Sequence, residues 1–430
     1  MRLGKELKMK KTYLRVIVAA IMMAILPLSV YGQVDNDVIH GVATDDISGW
    51  PKGPDIFSET GVLMETTTAE VLYDKGMNEK RYPASITKVM TALLALDNSA
   101  PDEQVTFTAT ALEGMEQGTN IGMQVGEVLT MEQCLQILLM KSANEVANQI
   151  AEHVGGSQEE FANMMNEKAV ELGCQNTHFT NASGMPDENH YTTAYDMALI
   201  FREALKNEEF CKLISELSYT LEPTNMNPEA RSFSNAHAVF VPNVPEHYEG
   251  CIGGKTGVTQ AAKNTLVTAA QKDGTELIAV VLRADSHGEV CIDTRVLFDY
   301  GYDNFDKINS EEGNLVAPKG ATAEELVATE EISGENDTKT IKTYTFNDYL
   351  LGSMEVTSDG PKEDETEEPE KVPKKHDKED DEAIEHDNEG AKDKPLAKPN
   401  YRTVITVLGA LIIVGIVLMV LGVIRKRKSR

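Results

Sequence analysis

The spacing of apolar positions changes several times along the chain, and each change predicts a different element. In "NTLVTAAQKDGTELIAVVL" two apolar segments, Asn264 to Ala270 and Glu276 to Leu282, flank Asp273-Gly274. That pattern predicts two antiparallel strands joined by a tight hairpin. Two shorter segments, Gly61 to Glu65 and Glu70 to Asp74, read as strands around a polar turn, with Lys75-Gly76 closing the second. Between these ends the spacing is helical. Thr130 with Gln133 forms a capping box ahead of an apolar run to Met140. Ser157 with Glu160 forms another, opening a helix that Gly173 ends. Strands at both ends with helices between them predict an α+β domain over residues 34–305.

From Asp306 to Phe346, notably in "TKTIKTYTF", the alternation predicts one or two further strands, a small β-rich appendage over 306–350. Residues 352–400 then turn to Glu, Asp, Lys and Pro with almost no large apolar side chain. Such a segment buries too little surface to offset its ordering entropy and is expected to be a disordered stalk. The two termini are apolar. A basic start and an apolar run from Val16 to Val30 predict a signal peptide over 1–32, cleaved after Gly32. Val404 to Ile424 is continuously apolar and long enough to cross a bilayer. The basic tail 425–430 follows, so the positive-inside rule places the tail in the cytoplasm and the domain on the extracytoplasmic side of the cell membrane.

Charge and cysteine usage narrow the function. Forty basic residues against 69 acidic give a net charge of −29, which opposes nucleic-acid binding. The five cysteines, Cys134, Cys174, Cys211, Cys251 and Cys291, form no Cys-x-x-Cys pair and no cysteine-histidine cluster at zinc spacing, so no metal or cofactor is expected. An odd count leaves at least one thiol free, and Cys251 with Cys291 is the one pairing worth testing.

The candidate chemistry begins at "YPASITKVMT", where Ser85 precedes Lys88 by three residues at the start of an apolar run. On a helix that spacing puts both on one face, near unpaired N–H groups that suit an oxyanion. Alone, the pair reads as an ordinary helix cap, since Ser-x-x-Lys arises about once in a chain this long at average composition. Two further patterns follow in order: Ser142-Ala143-Asn144 at the junction of two helical runs, and Lys255-Thr256-Gly257 entering the late hairpin. Each singly reads as a cap or a turn. Jointly they match the three-part constellation of serine β-lactamases and penicillin-binding proteins.

From about Pro54 to Phe305 the sequence resembles the low-molecular-mass penicillin-binding proteins of the D-alanyl-D-alanine carboxypeptidase type. "YPASITKVMTALLALD", "NASGMPDENHYTTAYDMALIFREAL" and "GGKTGVT" carry the likeness beyond the three motifs. The resemblance implies a serine β-lactamase/transpeptidase-like fold, an antiparallel sheet packed with helices plus a helical subdomain, with the site between them. It implies a peptidoglycan stem peptide ending in D-Ala-D-Ala as substrate and β-lactams as inhibitors. A β-lactamase of the same fold and a non-catalytic wall-binding or β-lactam-sensing module are the alternatives.

The roles then follow from what acyl transfer requires. Ser85 is the expected nucleophile and Lys88 its base, which must be neutral; making a lysine neutral at pH 7 costs roughly 4.6 kcal/mol. Burial and a second cation, Lys255, supply shifts of that size. Ser142 is expected to relay the proton to the leaving amine, and Asn144 to orient Lys88 and the substrate. By resemblance, the N–H groups of Ser85 and Val258 form the oxyanion site, and Lys255 with Thr256, in the stretch that includes Gly257, holds the terminal carboxylate.

Three features depart from the family pattern. "SHGEVCIDT" lacks the arginine that many members use near the carboxylate, with Arg283 and Arg295 as possible substitutes. Ala262-Lys263-Asn264 replaces the usual Ala-Gly-Tyr. The appendage is shorter than the usual second domain. His190 and His237 read as structural histidines, because neither has an acidic partner in sequence, and the Met-rich "FANMMNEKAVEL" reads as core packing.

Overall fold

Two hydrophobic clusters lie on opposite faces of one antiparallel sheet, and the period-two alternation of its strands divides their side chains between them. The computed structural model describes residues 40–114, 118–309, 314–322, 325–333 and 339–357. The expected signal peptide, most of the stalk, the membrane span and the basic tail lie outside them. Among the described residues no helix is long and apolar enough to cross a membrane.

The strands of the central sheet are β1 (Thr60–Glu65), β2 (Val71–Lys75), β7 (Cys251–Thr259), β8 (Lys263–Lys272) and β9 (Thr275–Ala284), in the order β2-β1-β9-β8-β7. On β9, Ile278, Val280 and Leu282 enter one cluster, while Leu277, Ala279 and Val281 enter the other. Both faces being covered, these strands are apolar at consecutive positions instead of alternating with polar ones. The β8–β9 turn forms as its sequence predicts: Asp273 and Gly274 both have positive φ, and Lys272 pairs with Thr275.

One face carries the helices α1 (Lys88–Asn98), α2 (Met131–Lys141), α3 (Asn144–Gly155), α4 (Gln158–Glu171), α5 (Ala194–Leu205) and α6 (Glu208–Ile214). The α2 capping box of Thr130 and Gln133 is complete. At α4 only half of the expected box is made, Ser157 accepting from the Glu160 N–H, and Gly173 follows the helix at φ +85°. Met165 is buried in this cluster, as core packing requires. Two small hairpins that the sequence pattern did not announce sit beside these helices: β3 (Gln104–Thr106) with β4 (Val128–Thr130), and β5 (Ser218–Leu221) with β6 (Arg231–Ser234).

The other face is covered by α7 (His287–Asn304) and by the appendage, which is larger than one or two strands. It comprises β10 (Phe305–Asn309) with β11 (Asn314–Pro318), and β12 (Leu326–Ser333), β13 (Lys339–Phe346) and β14 (Tyr349–Thr357). β14 runs past Gly352, where the composition of the stalk begins. The appendage shares its core with the sheet: Trp50 packs edge-on against Phe305 and Tyr349, and the Tyr349 hydroxyl donates to the Val71 carbonyl at 2.9 Å. Thus 34–305 and 306–350 are not separate cores, and all the described residues fall in one compact unit.

Candidate active site

The chain enters the site along an extended stretch in which the backbone of Arg81 exchanges two hydrogen bonds with Thr192. Pro83 and Ala84 then turn it sharply, Ala84 at φ +52°. Where the sequence predicts an α-helix opening at Ser85, the structure has a 3-10 turn over Ala84–Thr87, and the α-helix starts at Lys88. The tighter turn nearly eclipses residues three apart, which brings Ser85 and Lys88 together more closely than an α-helix would.

Lys88 is fully buried. Its Nζ lies 3.1 Å from Ser85 Oγ, 2.8 Å from Asn144 Oδ1 and 2.6 Å from the Ser183 carbonyl. Burial, and secondly the charge of Lys255, push its pKa well below the ordinary lysine value, against the opposing pull of Glu145. A neutral amine has two N–H donors and one lone pair. Two of its three neighbours are oxygens that only accept, so they take the N–H groups, and the lone pair is left for the one neighbour with a proton to give, Ser85.

Ser142 caps α2 in the left-handed conformation at φ +63°, and Asn144 opens α3 two residues later. This break turns both side chains to the same site. The Ser142 hydroxyl accepts from Lys255 Nζ at 3.1 Å, and Lys255 also donates to the Thr256 carbonyl at 2.9 Å. Lys255 is 3% exposed, and burial lowers its pKa to about 7.

Lys255, Thr256 and Gly257 lie within β7, an edge strand of the central sheet, and not in a turn leading to the hairpin. A Cβ on Gly257 would stand 2.9 Å from the Ser85 nitrogen, so glycine lets the strand pass directly beside the nucleophile. Ala84 is held from behind in the same way. A Cβ on Gly184, itself at φ +84°, would come within 1.9 Å of the Ala84 carbonyl oxygen.

The result is a cleft of about 390 Å³ whose walls include Ser85, Ser142, Thr256, Gly257, Val258 and His287. Lys88, Asn144 and Lys255 are buried beside it. The eight residues singled out in the sequence therefore gather in one place. Arg283 and Arg295 do not line it: Arg283 bonds Glu59 and the Ala261 carbonyl, and Arg295 the Pro245 carbonyl. Ser183, Gly184, Glu145 and His287 belong to the site but were not singled out from the sequence. The first two lie within the quoted "NASGM", which was the available signal.

The remaining candidates are structural. His190 Nε2 lies 2.9 Å from Thr87 Oγ1 and His237 Nε2 lies 2.9 Å from Thr268 Oγ1. Burial lowers their pKa values to about 3 and about 4, so both are neutral near pH 7. All five cysteines are free thiols, so the Cys251–Cys291 pairing is not made. Burial pushes those two up to about 12 and about 11. Among the described residues there is no acidic, histidine and cysteine cluster able to hold a metal ion.

Comparison with known proteins gives the same answer by another route. The peptidase S11 family of D-alanyl-D-alanine carboxypeptidases matches residues 49–286. The D-alanyl-D-alanine carboxypeptidase DacF of Bacillus subtilis is 35% identical over 256 residues, a match spanning 58% of this chain and 63% of the relative. The crystal structure of a D-alanyl-D-alanine carboxypeptidase from Mycobacterium tuberculosis superposes with a TM-score of 0.55 at 29% identity, covering 63% of this chain and 99% of that one. The Streptomyces K15 DD-transpeptidase gives 0.55 at 28% identity, covering 59% and 100%. The fold is thus that of the penicillin-binding transpeptidases, and the chain belongs to the peptidase S11 family of D-alanyl-D-alanine carboxypeptidases.

Proposed function

We propose that the protein is a serine D-Ala-D-Ala carboxypeptidase that removes the terminal D-alanine from peptidoglycan stem peptides through an acyl-enzyme on Ser85. The observation that carries this reading is the contact of 3.1 Å between the buried Lys88 Nζ and the half-buried Ser85 Oγ, with the amine's other two neighbours both acceptors.

In the proposed sequence neutral Lys88 takes the Ser85 proton as Oγ bonds to the carbonyl carbon of the penultimate D-alanine. The backbone N–H groups of Ser85 and Val258 hold the oxyanion. Collapse of the tetrahedral intermediate breaks the peptide C–N bond, and the leaving nitrogen receives a proton through Ser142, which Lys255 resupplies. Lys88 then loses to solvent the proton it took from Ser85 and Lys255 regains the one it gave, so both lysines return to their starting states. Water attacks the acyl carbon as neutral Lys88 takes its proton, and that proton passes to Ser85 Oγ as the acyl C–O bond breaks. β-Lactams would acylate the same oxygen. An extracytoplasmic domain, held at the cell membrane by residues 404–424, would stand on the substrate's side of the membrane.

Release of D-alanine from a D-Ala-D-Ala-terminated pentapeptide by the full chain, compared with Ser85→Ala, tests the reaction. Release lost with Ser85 supports it; no release by a folded wild type removes it. Rapid penicillin turnover without release would favour a β-lactamase instead. Protease shaving of intact cells tests the topology, since a domain inside the cytoplasm would be protected.

A further inference from the structure

An S11 substrate ends in a carboxylate, and the residues around the cleft do not offer Lys255 to it. Lys255 is buried, and both oxygens that it contacts, Ser142 Oγ and the Thr256 carbonyl, lie inside the site. Arg283 and Arg295 are committed elsewhere. The cleft nevertheless favours an anion. In a chain of net charge −29, its lining residues include no Asp or Glu and two side chains able to carry positive charge, Lys141 and His287.

These two lie on different elements. Lys141 ends α2, on the wall that carries Ser142. His287 opens α7 just after β9, two residues beyond Asp285, whose carbonyl accepts at 3.1 Å from the side chain of Asn264, the cleft-lining residue that pairs with Val258 on β7. His287 is therefore on the Thr256 side of the cleft, and it is exposed. Its Nε2 contacts the Cys291 sulfur at 3.7 Å, one helical turn on, which leaves Nδ1 for a ligand.

We propose that His287, together with the Thr256 hydroxyl, receives the free carboxylate at the substrate's C-terminus, and that Lys255 is reserved for proton transfer at Ser142. This rests on the carboxypeptidase reading for its substrate, but not for its test, because penicillins also carry a carboxylate beside the acylating carbonyl. His287 is a specificity-determining residue in this scheme and takes no part in bond making.

The experiment compares Ser85 acylation by benzylpenicillin and by its methyl ester, using the full chain in detergent as wild type, His287→Ala, His287→Arg and Lys141→Ala. A charge-assisted hydrogen bond of about 1.5–3 kcal/mol predicts that wild type prefers the acid by about ten-fold or more. His287→Ala should lose that preference by slowing reaction with the acid alone. His287→Arg should restore it and Lys141→Ala should keep it. A His287→Ala variant that keeps the preference, or slows acid and ester equally, would overturn the proposal. So would a wild type with no preference, or a preference that follows Lys141. D-Alanine release is measured alongside: its absence in an enzyme that penicillin still acylates removes the carboxypeptidase reading, while the penicillin comparison still decides His287. No acylation by either compound would overturn both.

Discussion

Lys255 Nζ stands 3.1 Å from the hydroxyl of Ser142, although the two residues are 113 positions apart in the chain. Burying that amine carries a thermodynamic signature. The folded chain titrates Lys255 near 7, against an ordinary value of 10.5. Between those values the unfolded chain holds a proton that the folded one lacks, so folding stability rises with pH, by up to about 1.4 kcal/mol per pH unit. Below pH 7 both states are protonated, and the cost of the buried ammonium is present in full. Lys88 is shifted in the same direction and adds to the slope. Urea unfolding at pH 6, 8 and 9 should show stability rising with pH in wild type and a shallower rise in Lys255→Met. Equal slopes would mean that Lys255 is not buried as a near-neutral amine.

The acceptor that Asn144 offers Lys88 at 2.8 Å is neutral, and neutrality matters. Asn144→Asp has nearly the same shape but puts a negative charge against Nζ, which favours the protonated lysine and removes the base. Penicillin acylation at pH 7 should fall about ten-fold or more, since each pKa unit is a factor of ten in the neutral fraction. Much of the loss should return at higher pH. A rate–pH profile lowered uniformly, with no alkaline displacement, would contradict Lys88 as the proton acceptor.

Behind the nucleophile, Gly184 is needed for conformation and for space at once. An alanine there meets a left-handed backbone, worth about 1–2 kcal/mol, and a backbone oxygen at 1.9 Å that must move. With the strain of overpacking, Gly184→Ala should cost about 2–5 kcal/mol. Because the atom pushed aside belongs to Ala84, acylation of the protein that remains folded should fall too. Chemical denaturation and penicillin labelling of the folded fraction check the two effects separately. A destabilised variant labelling at the wild-type rate would show that the Ala84 turn does not set Ser85.

Much of this arrangement was legible in the sequence, and the rest was hidden for physical reasons. Asp273-Gly274 encodes its hairpin locally because few residues tolerate two positive φ angles in succession. Ser85, Lys88, Ser142, Asn144 and Lys255 were found through the order of their motifs, which survives although the contacts are long-range. β7 was missed because Gly253, Gly254 and Gly257 weaken any strand signal; its conformation comes from pairing with β8 and from packing against Ser85. The left-handed Ala84 leaves no trace in composition, since its strain is held by Gly184, a hundred residues on. His287 was hidden by its surroundings: Ser286 and Glu289 form a complete capping box, and the stretch reads only as a helix start. The extent of the appendage was hidden for the opposite reason, since Trp50, far away in sequence, supplies the ring against which Phe305 and Tyr349 pack.

The same helix is fixed to the body of the protein by Asp293, which is 1% exposed and bonded to three donors near the start of the described chain. Its Oδ1 accepts from the Phe57 N–H at 2.9 Å; its Oδ2 accepts from the Ser58 N–H at 2.7 Å and the Ser58 hydroxyl at 2.6 Å. Asp293→Ala leaves two backbone N–H groups and a hydroxyl without their acceptor, so it should destabilise the protein by about 2–4 kcal/mol. Ser58→Ala removes one of those donors. Combined with Asp293→Ala it should therefore cost less than the sum of the two single changes, by about 0.5–1.5 kcal/mol. Asp293 is outside the cleft, so the folded variant should be acylated by penicillin at the wild-type rate. Strict additivity in the double-mutant cycle would show that the carboxylate and the hydroxyl do not interact, and a large loss of acylation would show that α7 position controls the cleft through this anchor.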